Sequence, residues 1–119
     1  MKIPFSISDF KWPIVFLCAV CTYVAIVLFR ESAVLTFLSV ASLGVLMLKA
    51  SWSWEHFIVY VTLFLMAMLT ETLCVYLGIW SYSMAGLFGV PLWVPFMWSN
   101  SGLFVIELKE AVDGYIGRA

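Results

Sequence analysis

The sequence has few charged residues and lacks the clusters of reactive side chains from which many active sites are built. Asp, Glu, Lys and Arg make up 11% of its 119 residues, and His56 is the one histidine. In soluble proteins about a quarter of the residues are charged. A single histidine cannot build a multi-histidine metal or haem site, so no metal and no cofactor is predicted. The net charge of −1 and the lack of a basic stretch argue against a nucleic-acid partner.

The three cysteines do not offer a disulfide framework. Cys18, Cys21 and Cys74 lie inside apolar runs, and their number is odd. Cys18 and Cys21 share a helix face because they are three residues apart, but redox enzymes with such a pair need a second thiol pair or a soluble partner. We therefore expect the cysteines to be packing residues.

Apolar residues, in contrast, are abundant. They make up 65% of the chain, and the mean hydropathy is +1.09. A chain this short cannot bury so much apolar surface in water. In a lipid bilayer the apolar surface does not need to be buried, because the surroundings are apolar as well. Short links separate four apolar segments, at 12–29, 33–48, 57–80 and 91–108. A spanning helix needs roughly 20 residues, so the third segment is long enough and the second is short.

The predicted fold is therefore all-α: an integral membrane, up-down bundle of about four transmembrane helices that forms a single domain over residues 1–119. Short links make sequential helices antiparallel neighbours. Three spans and a re-entrant segment are the alternative, and whether Ser81–Val90 re-enters the membrane is left open.

The orientation follows from the basic residues near the predicted span ends. Most of them fall on one side of the membrane: Lys2, Lys11, Lys49, Lys109 and Arg118, against Arg30 alone on the other side. Basic residues favour the cytoplasmic side, so both termini are predicted to be cytoplasmic, in a membrane of the bacterial inner-membrane type. The uncharged link Ser81–Val90 then faces outward.

Glu71 is the most informative polar residue because it lies about two-thirds of the way along the third segment. A charged residue at the centre of a membrane helix costs roughly 2.5–3.5 kcal/mol on insertion scales, so intramembrane acids are functional candidates. Glu71 is predicted to act as a general acid, a proton carrier or a ligand-contacting carboxylate. The alternative is a carboxyl group that only forms hydrogen bonds between helices.

Asn100 is the second polar candidate, with Ser99, Ser101 and Gly102 beside it in the fourth segment. Small polar residues let helices approach closely and bond across their interface, and this structural role is favoured over ligand contact. Asn100 is also a candidate partner of Glu71. Beyond it, Glu107 begins a predicted solvated helix end, with Lys49 as its candidate partner.

The stretch from Trp80 to Trp98 is rich in aromatic residues, glycine and proline and contains no charge. It could form the roof of an aromatic pocket above Glu71, or an aromatic girdle at the membrane surface. On the first interpretation the ligand-binding residues are Trp80, Tyr82, Trp93, Trp98 and Asn100.

One region resembles a known group of proteins. The residues concerned are Glu71, Gly78, Trp80, Tyr82, Gly89-Val90-Pro91-Leu92, Pro95 and Trp98. Their order is similar to the signature region of integral membrane proteins of carotenoid biosynthesis, namely the small lycopene-cyclase-domain proteins and the carotenoid hydratases. The cyclase-domain proteins carry adjacent acids after their Pro-Leu, where this chain has Trp93-Val94. The resemblance therefore implies Glu71 as the remaining proton donor. The same pattern could belong to another family of small membrane proteins.

Three functions follow from these observations. The first is a non-catalytic membrane subunit or a bundle that binds an apolar small molecule, with another membrane protein or a second copy of itself as partner. The second is a membrane enzyme that acts on an isoprenoid or lipid, with Glu71 as general acid. The third is a dimeric, proton-coupled small transporter, although small four-helix exporters carry their glutamate in the first helix.

Overall fold

The computed structural model describes residues 11–82 and 89–118, and this part of the chain is all-α. Its helices are α1 (Lys11–Leu28), α2 (Ala33–Ala50), α3 (Trp54–Tyr76) and α4 (Trp93–Arg118). By length and composition, α2 and α3 are able to cross a membrane, whereas the apolar run Trp12–Leu28 of α1 is shorter. Residues 1–10, with Lys2, and most of the link Ser81–Val90 lie outside the described residues. The re-entry considered for that link is therefore not tested.

The two short links place a capping serine before the next helix. Ser32 Oγ accepts a hydrogen bond from the backbone N–H of Leu35 at 3.2 Å, and Ser53 Oγ accepts one from His56 at 3.0 Å. The first N–H groups of a helix have no partner within the helix, and a serine at this position supplies one. These caps allow α1, α2 and α3 to follow one another with only a few residues between them.

The third helix ends at Tyr76, so the prediction that it continues to Trp80 is wrong. Gly78 has a positive φ of 74°. Its N–H donates to the carbonyl of Val75, and the N–H of Ile79 donates to that of Cys74. This pair of bonds is the Schellman motif, which glycine favours because it has no Cβ to clash in the left-handed conformation. The motif reverses the chain before Trp80.

The fourth helix begins at Trp93 and continues to Arg118, ten residues beyond Leu108, the approximate end of the predicted apolar span. Proline lacks the N–H that a helix interior needs, and Pro91 lies just before the first turn, where its carbonyl accepts from Val94. Beyond Leu108 the helix is polar, and Lys109 forms an ion pair with Asp113 one turn later. The extension thus carries exposed charged residues, as expected of the solvated end of this helix.

The fourth helix is the centre of the packing. It contacts α1, α2 and α3, and α1 also packs against α2, but α2 and α3 make few contacts with each other. We predicted that each helix packs against the next one in the chain. This is confirmed for α1 with α2 and for α3 with α4, but it is wrong for α2 with α3. A gap opens between these two helices beside α4.

Polarity is distributed in the opposite way to that of a water-soluble protein. Polar side chains occupy much of the interior: Thr22, Thr36, Ser51, His56, Glu71, Ser99, Asn100 and Glu107 are buried. Large apolar side chains cover the surface, and Leu28 and Leu69 are examples, with 69% and 72% of their area exposed. Most apolar residues of a soluble protein are inside, so these helices present their apolar faces to the surroundings.

Candidate functional site

Three aromatic side chains enclose Glu71 at the end of α3. The indole Nε1–H of Trp80 and the hydroxyl of Tyr82 donate to Glu71 Oε2 at 2.9 and 2.6 Å. The indole Nε1–H of Trp98 donates to the other oxygen, Oε1, at 3.0 Å. Only 4% of Glu71 is exposed. We call these four residues the Glu71 cage.

The cage depends on the turn at Gly78. Because the helix stops there, the chain folds back and brings Trp80 and Tyr82 to a carboxylate that lies nine and eleven residues earlier. Trp98 comes from α4, which packs along α3. A helix that continued to Trp80 would carry this residue away from Glu71, since each residue adds 1.5 Å along the axis.

The cage binds a carboxylate with neutral groups alone. No described Lys, Arg or His forms an ion pair with Glu71. Burial and the neighbouring carboxyl group of Glu71 raise the pKa of Tyr82, so the phenol keeps its proton and donates. Indole can only donate, whereas a phenol can also accept. The three groups therefore present their donors to both oxygens of Glu71.

Partly exposed aromatic side chains cover Glu71. Trp80 is 42% exposed and Trp98 is 40% exposed, although the carboxylate between them is buried. A ligand that reached the carboxylate would have to displace at least one of these donors. As it stands, the cage holds Glu71 in place and leaves no open face on it.

Trp93 and Asn100 are not part of the cage. Among the described residues, the hydrogen bonds of Glu71 come from the other three candidates, and none of them involves Asn100 or Trp93. Trp93 is the first residue of α4. The structure thus brings Glu71, Trp80, Tyr82 and Trp98 together, and a role for them in catalysis or ligand binding stays a prediction.

Asn100 instead joins all four helices at the middle of the bundle. Its Nδ2 donates to Thr22 Oγ1 on α1 at 3.2 Å and to the carbonyl of Val40 on α2 at 3.0 Å. Its Oδ1 accepts from the hydroxyl of Tyr60 on α3 at 2.7 Å. Asn100 is fully buried, and the amide uses both its donor and its acceptor groups. These bonds provide the interhelical role that we expected of Asn100.

Gly44 makes this centre sterically possible. A Cβ atom at Gly44 would lie 2.6 Å from Asn100 Oδ1 and even closer to the hydroxyl of Tyr60. Small residues allow membrane helices to approach closely enough for side chains to bond across them. Neither Gly44 nor Tyr60 was identified from the sequence, although a single glycine within an apolar helix is a signal of close packing.

A second titratable group lies at the opposite end of the bundle. His56 Nδ1 lies 2.6 Å from the carbonyl of Ser51, and Nε2 lies 3.0 Å from Glu110 Oε1. Glu107 Oε1 is 3.8 Å from Nδ1. We call these residues the His56 cluster. Glu107 is buried and faces His56, so the predicted solvated position and pairing with Lys49 are wrong.

The His56 cluster is also the place where the described residues come nearest to a metal-binding set. One ligand atom each from His56, Glu107 and Glu110 lie within 4.8 Å of one another. However, both nitrogens of the ring already face oxygen acceptors, and a ring bonded on both sides donates from both. The geometry is thus that of a histidine held between a carbonyl and carboxylates.

An apolar groove runs between α2 and α3. Its outer cavity, of about 340 Å³, is lined by Val45, Leu48, Lys49, Trp52 and Phe57. A second cavity of about 240 Å³ shares Val45, Leu48 and Phe57 and extends to residues of α4. Both cavities lie where α2 and α3 fail to pack together. We call them the α2–α3 groove, a feature that the sequence did not reveal.

No protein-family model matches the sequence, and no curated protein and no solved structure is significantly similar to the chain. The resemblance to membrane proteins of carotenoid biosynthesis is neither supported nor contradicted by these comparisons. It stays an expectation from the sequence.

Proposed function

We propose that this protein is an integral membrane bundle that binds an apolar molecule, such as a lipid or isoprenoid, without transforming it, either alone or as a subunit of a larger complex. The observation that carries the proposal is the α2–α3 groove. It is lined almost entirely by apolar side chains and is open along the side of the bundle. Ligand sites are mostly concave and apolar, with a few polar groups.

The distribution of polarity supports a membrane location. The helices expose large apolar residues and bury polar ones, and α2 and α3 are long enough to cross a bilayer. In hydrocarbon, polar groups are stable only when other protein groups satisfy them, as the hydrogen bonds of Asn100 and Glu71 do. The membrane is thus the solvent in which this surface is stable.

The state of the buried hydroxyl groups supports a non-catalytic role. Each buried serine or threonine hydroxyl of the described residues donates to a backbone carbonyl: Thr22 to Cys18, Thr36 to Phe29, Ser51 to Met47 and Ser99 to Tyr60. A nucleophilic serine or threonine needs a base within hydrogen-bond distance instead. In the described part of the chain the one histidine contacts a carbonyl and carboxylates, so it activates none of these hydroxyls.

Native mass spectrometry of the protein in mild detergent tests the binding function. We expect about one apolar molecule per chain in the wild type. Val45→Phe should displace it because Val45 lines both cavities, whereas Leu46→Phe, its exposed neighbour outside the groove, should retain it. Absence of a bound apolar molecule in the wild type, or equal occupancy in both variants, would contradict the proposal.

The proposed topology places both termini in the cytoplasm, in a membrane of the bacterial inner-membrane type. It rests on the distribution of basic residues. Reporter proteins fused to each terminus should both give cytoplasmic signals. Signals from opposite sides of the membrane would require an odd number of spans.

The second candidate is a membrane enzyme that acts on an isoprenoid, with Glu71 as general acid. One observation favours it: four residues of the region that resembles carotenoid-biosynthesis proteins, Glu71, Trp80, Tyr82 and Trp98, form the cage. Membranes that contain the protein would be incubated with an acyclic carotenoid, and products would be separated by chromatography. Turnover that is lost in Glu71→Gln but kept in Glu55→Gln would favour this candidate over the first, and normal turnover in Glu71→Gln would exclude it.

A further inference from the structure

The α2–α3 groove is polar at one end and apolar along the rest of its length. Lys49 and Trp52 line the outer cavity together with apolar residues. The second cavity continues to Phe64 and Phe96 and contains no charged residue. A phospholipid has the same division, since a charged headgroup is joined to a hydrocarbon chain.

The groove has a defined inner end. Phe96 of α4 contacts Phe37 of α2 and Phe64 of α3, with ring centroids 5.6 and 4.9 Å apart. These rings fill the space between the helices beyond Ala41. Lys49 lies eight residues after Ala41, so the groove is about 12 Å long at 1.5 Å per residue. This length accommodates the upper part of one acyl chain.

Aromatic residues indicate where the mouth lies relative to the membrane. Trp52 and Trp54 are 53% and 69% exposed, and their rings contact each other and Phe57. Tryptophan is enriched at the level of lipid headgroups because its ring is apolar and its N–H is polar. The mouth of the groove therefore lies at headgroup depth.

Lys49 gives the mouth an uncompensated positive charge. It forms no ion pair with any residue that the structure describes. Lys109, at the same end of the bundle, is bound to Asp113 at 2.7 Å, and His56 faces Glu110. Among the described side chains at this end, Lys49 is thus the cation available to an anionic group.

We propose that the α2–α3 groove is a specific site for one phospholipid with an anionic headgroup. Lys49 pairs with the net negative charge of the headgroup, which phosphatidylcholine lacks because choline neutralises its phosphate, and the groove holds the upper part of an acyl chain. The inference rests on the proposed function, because it names the ligand class and the residue that selects it. Lys49 lies on the predicted cytoplasmic side, where anionic lipids attract basic residues.

The test is a titration of the purified protein with phosphatidylglycerol or phosphatidylcholine, followed by native mass spectrometry. The wild type should bind the first phosphatidylglycerol about fivefold more tightly than phosphatidylcholine, the contribution expected of one lysine near an anionic surface. Lys49→Gln should abolish this preference, and Lys49→Arg should keep it. Lys109→Gln is the matched control, which removes a lysine whose charge is already paired, and should leave the preference unchanged.

Val45→Phe separates this inference from the proposed function. If Val45→Phe prevents binding of both lipids but Lys49→Gln leaves the preference unchanged, the groove binds an apolar chain and the assignment of the headgroup to Lys49 is wrong. If Val45→Phe has no effect on either lipid, both proposals fail. A second copy of the chain that occupies the groove, seen as a dimer whose formation excludes lipid, would also overturn the lipid site.

Discussion

The two ends of the bundle each bury a glutamate, but they do so in different ways. Glu71 at one end and Glu107 at the other are 4% and 2% exposed. Glu71 receives hydrogen bonds from neutral aromatic groups, two of which lie on the turn directly after its own helix. Glu107 and Glu110 face His56, which precedes Glu110 by 54 residues. One end thus relies on neutral donors, two of which are close in sequence, and the other on charged groups of two helices that are distant in sequence.

This difference determines how much stability each end loses when one hydrogen-bonding or ionic partner is removed. Trp80 and Trp98 are each about 40% exposed, so their N–H groups can turn to other acceptors if the cage opens. His56 is 5% exposed and has no such alternative. A charge left without its partner in a buried site costs more than a neutral donor that regains water. We therefore expect the His56 cluster to be the more sensitive end.

The largest effect is expected for His56→Ala. It removes the group that both glutamates face, and the loss of one partner of a buried ionic interaction typically costs about 3 kcal/mol. The free energy of unfolding, measured by SDS titration in mixed micelles, should fall by that amount. Glu55→Gln is the control because Glu55 is exposed next to His56. If His56→Ala lowered the free energy of unfolding less than Glu71→Gln does, the Glu71 cage would be the more sensitive end.

Glu71→Gln should have the next largest effect, about 2 kcal/mol, because hydrogen bonds to a charged group contribute about that much. The glutamine amide has only one acceptor oxygen for three donors, and its NH₂ group would face a donor. The same SDS titration measures the loss. Tryptophan fluorescence should also change, since Trp80 and Trp98 both donate to this carboxylate. Unchanged emission would mean that the cage does not depend on the charge.

Gly78→Ala should destabilise the protein by about 1 kcal/mol, because alanine is strained at a positive φ. No atom lies within 4 Å of the added Cβ, so the effect would come from the backbone alone. Gly114→Ala is the matched control. No atom lies within 4 Å of its added Cβ either, but Gly114 has a helical backbone conformation. This control should stabilise the protein slightly. Thermal unfolding in detergent would measure the stability of both variants. A change in the same direction for both would contradict the role of Gly78 in forming the cage.

The smallest effect is expected for Glu110→Gln, about 0.5 kcal/mol, because partly exposed ion pairs contribute little. The side chain of Glu110 is 46% exposed, in contrast to 3% for Glu107. The loss should shrink further as salt is raised, since solvent ions screen an exposed pair. A loss comparable with that of His56→Ala would show that Glu110, and not Glu107, carries the interaction at this end.

Several features of the fold could be predicted from the sequence because they depend on local patterns. The helices were located from their apolar runs, and α2 begins at the predicted residue, Ala33. The end of α3 at Tyr76 was missed although Gly78 signals it. A glycine changes the backbone conformation without interrupting a run of apolar residues, and the prediction followed the apolar run. The polar end of α4 was recognised from its charged residues, and Lys109, Glu110 and Asp113 are exposed as expected, but how far the helix continues was not predicted.

Residues of the candidate site could be predicted where a polar side chain interrupts an apolar segment. Glu71 and Asn100 are polar residues in apolar segments, so each was recognised. The aromatic residues near Glu71 were also recognised, but not that three of them donate to its carboxylate. The partners of Asn100 were not predictable: Tyr60 contacts Asn100 from 40 residues away, and Gly44 matters only because both of those side chains lie against it. Glu107 was interpreted as solvated because it lies near the polar end of α4, whereas the packing of α3 buries it.

The sequence by itself determined that the chain is helical, that its surface is apolar, and that a few polar groups must find partners inside. Composition and local hydrogen bonding are enough for that, because each helix satisfies its own backbone. Only the tertiary structure decided which polar groups meet and that α4 lies against both α2 and α3, which leaves a groove between them. Side-chain size at distant positions, Gly44 and Phe96 among them, sets how closely helices approach. No local pattern in the sequence contains that information.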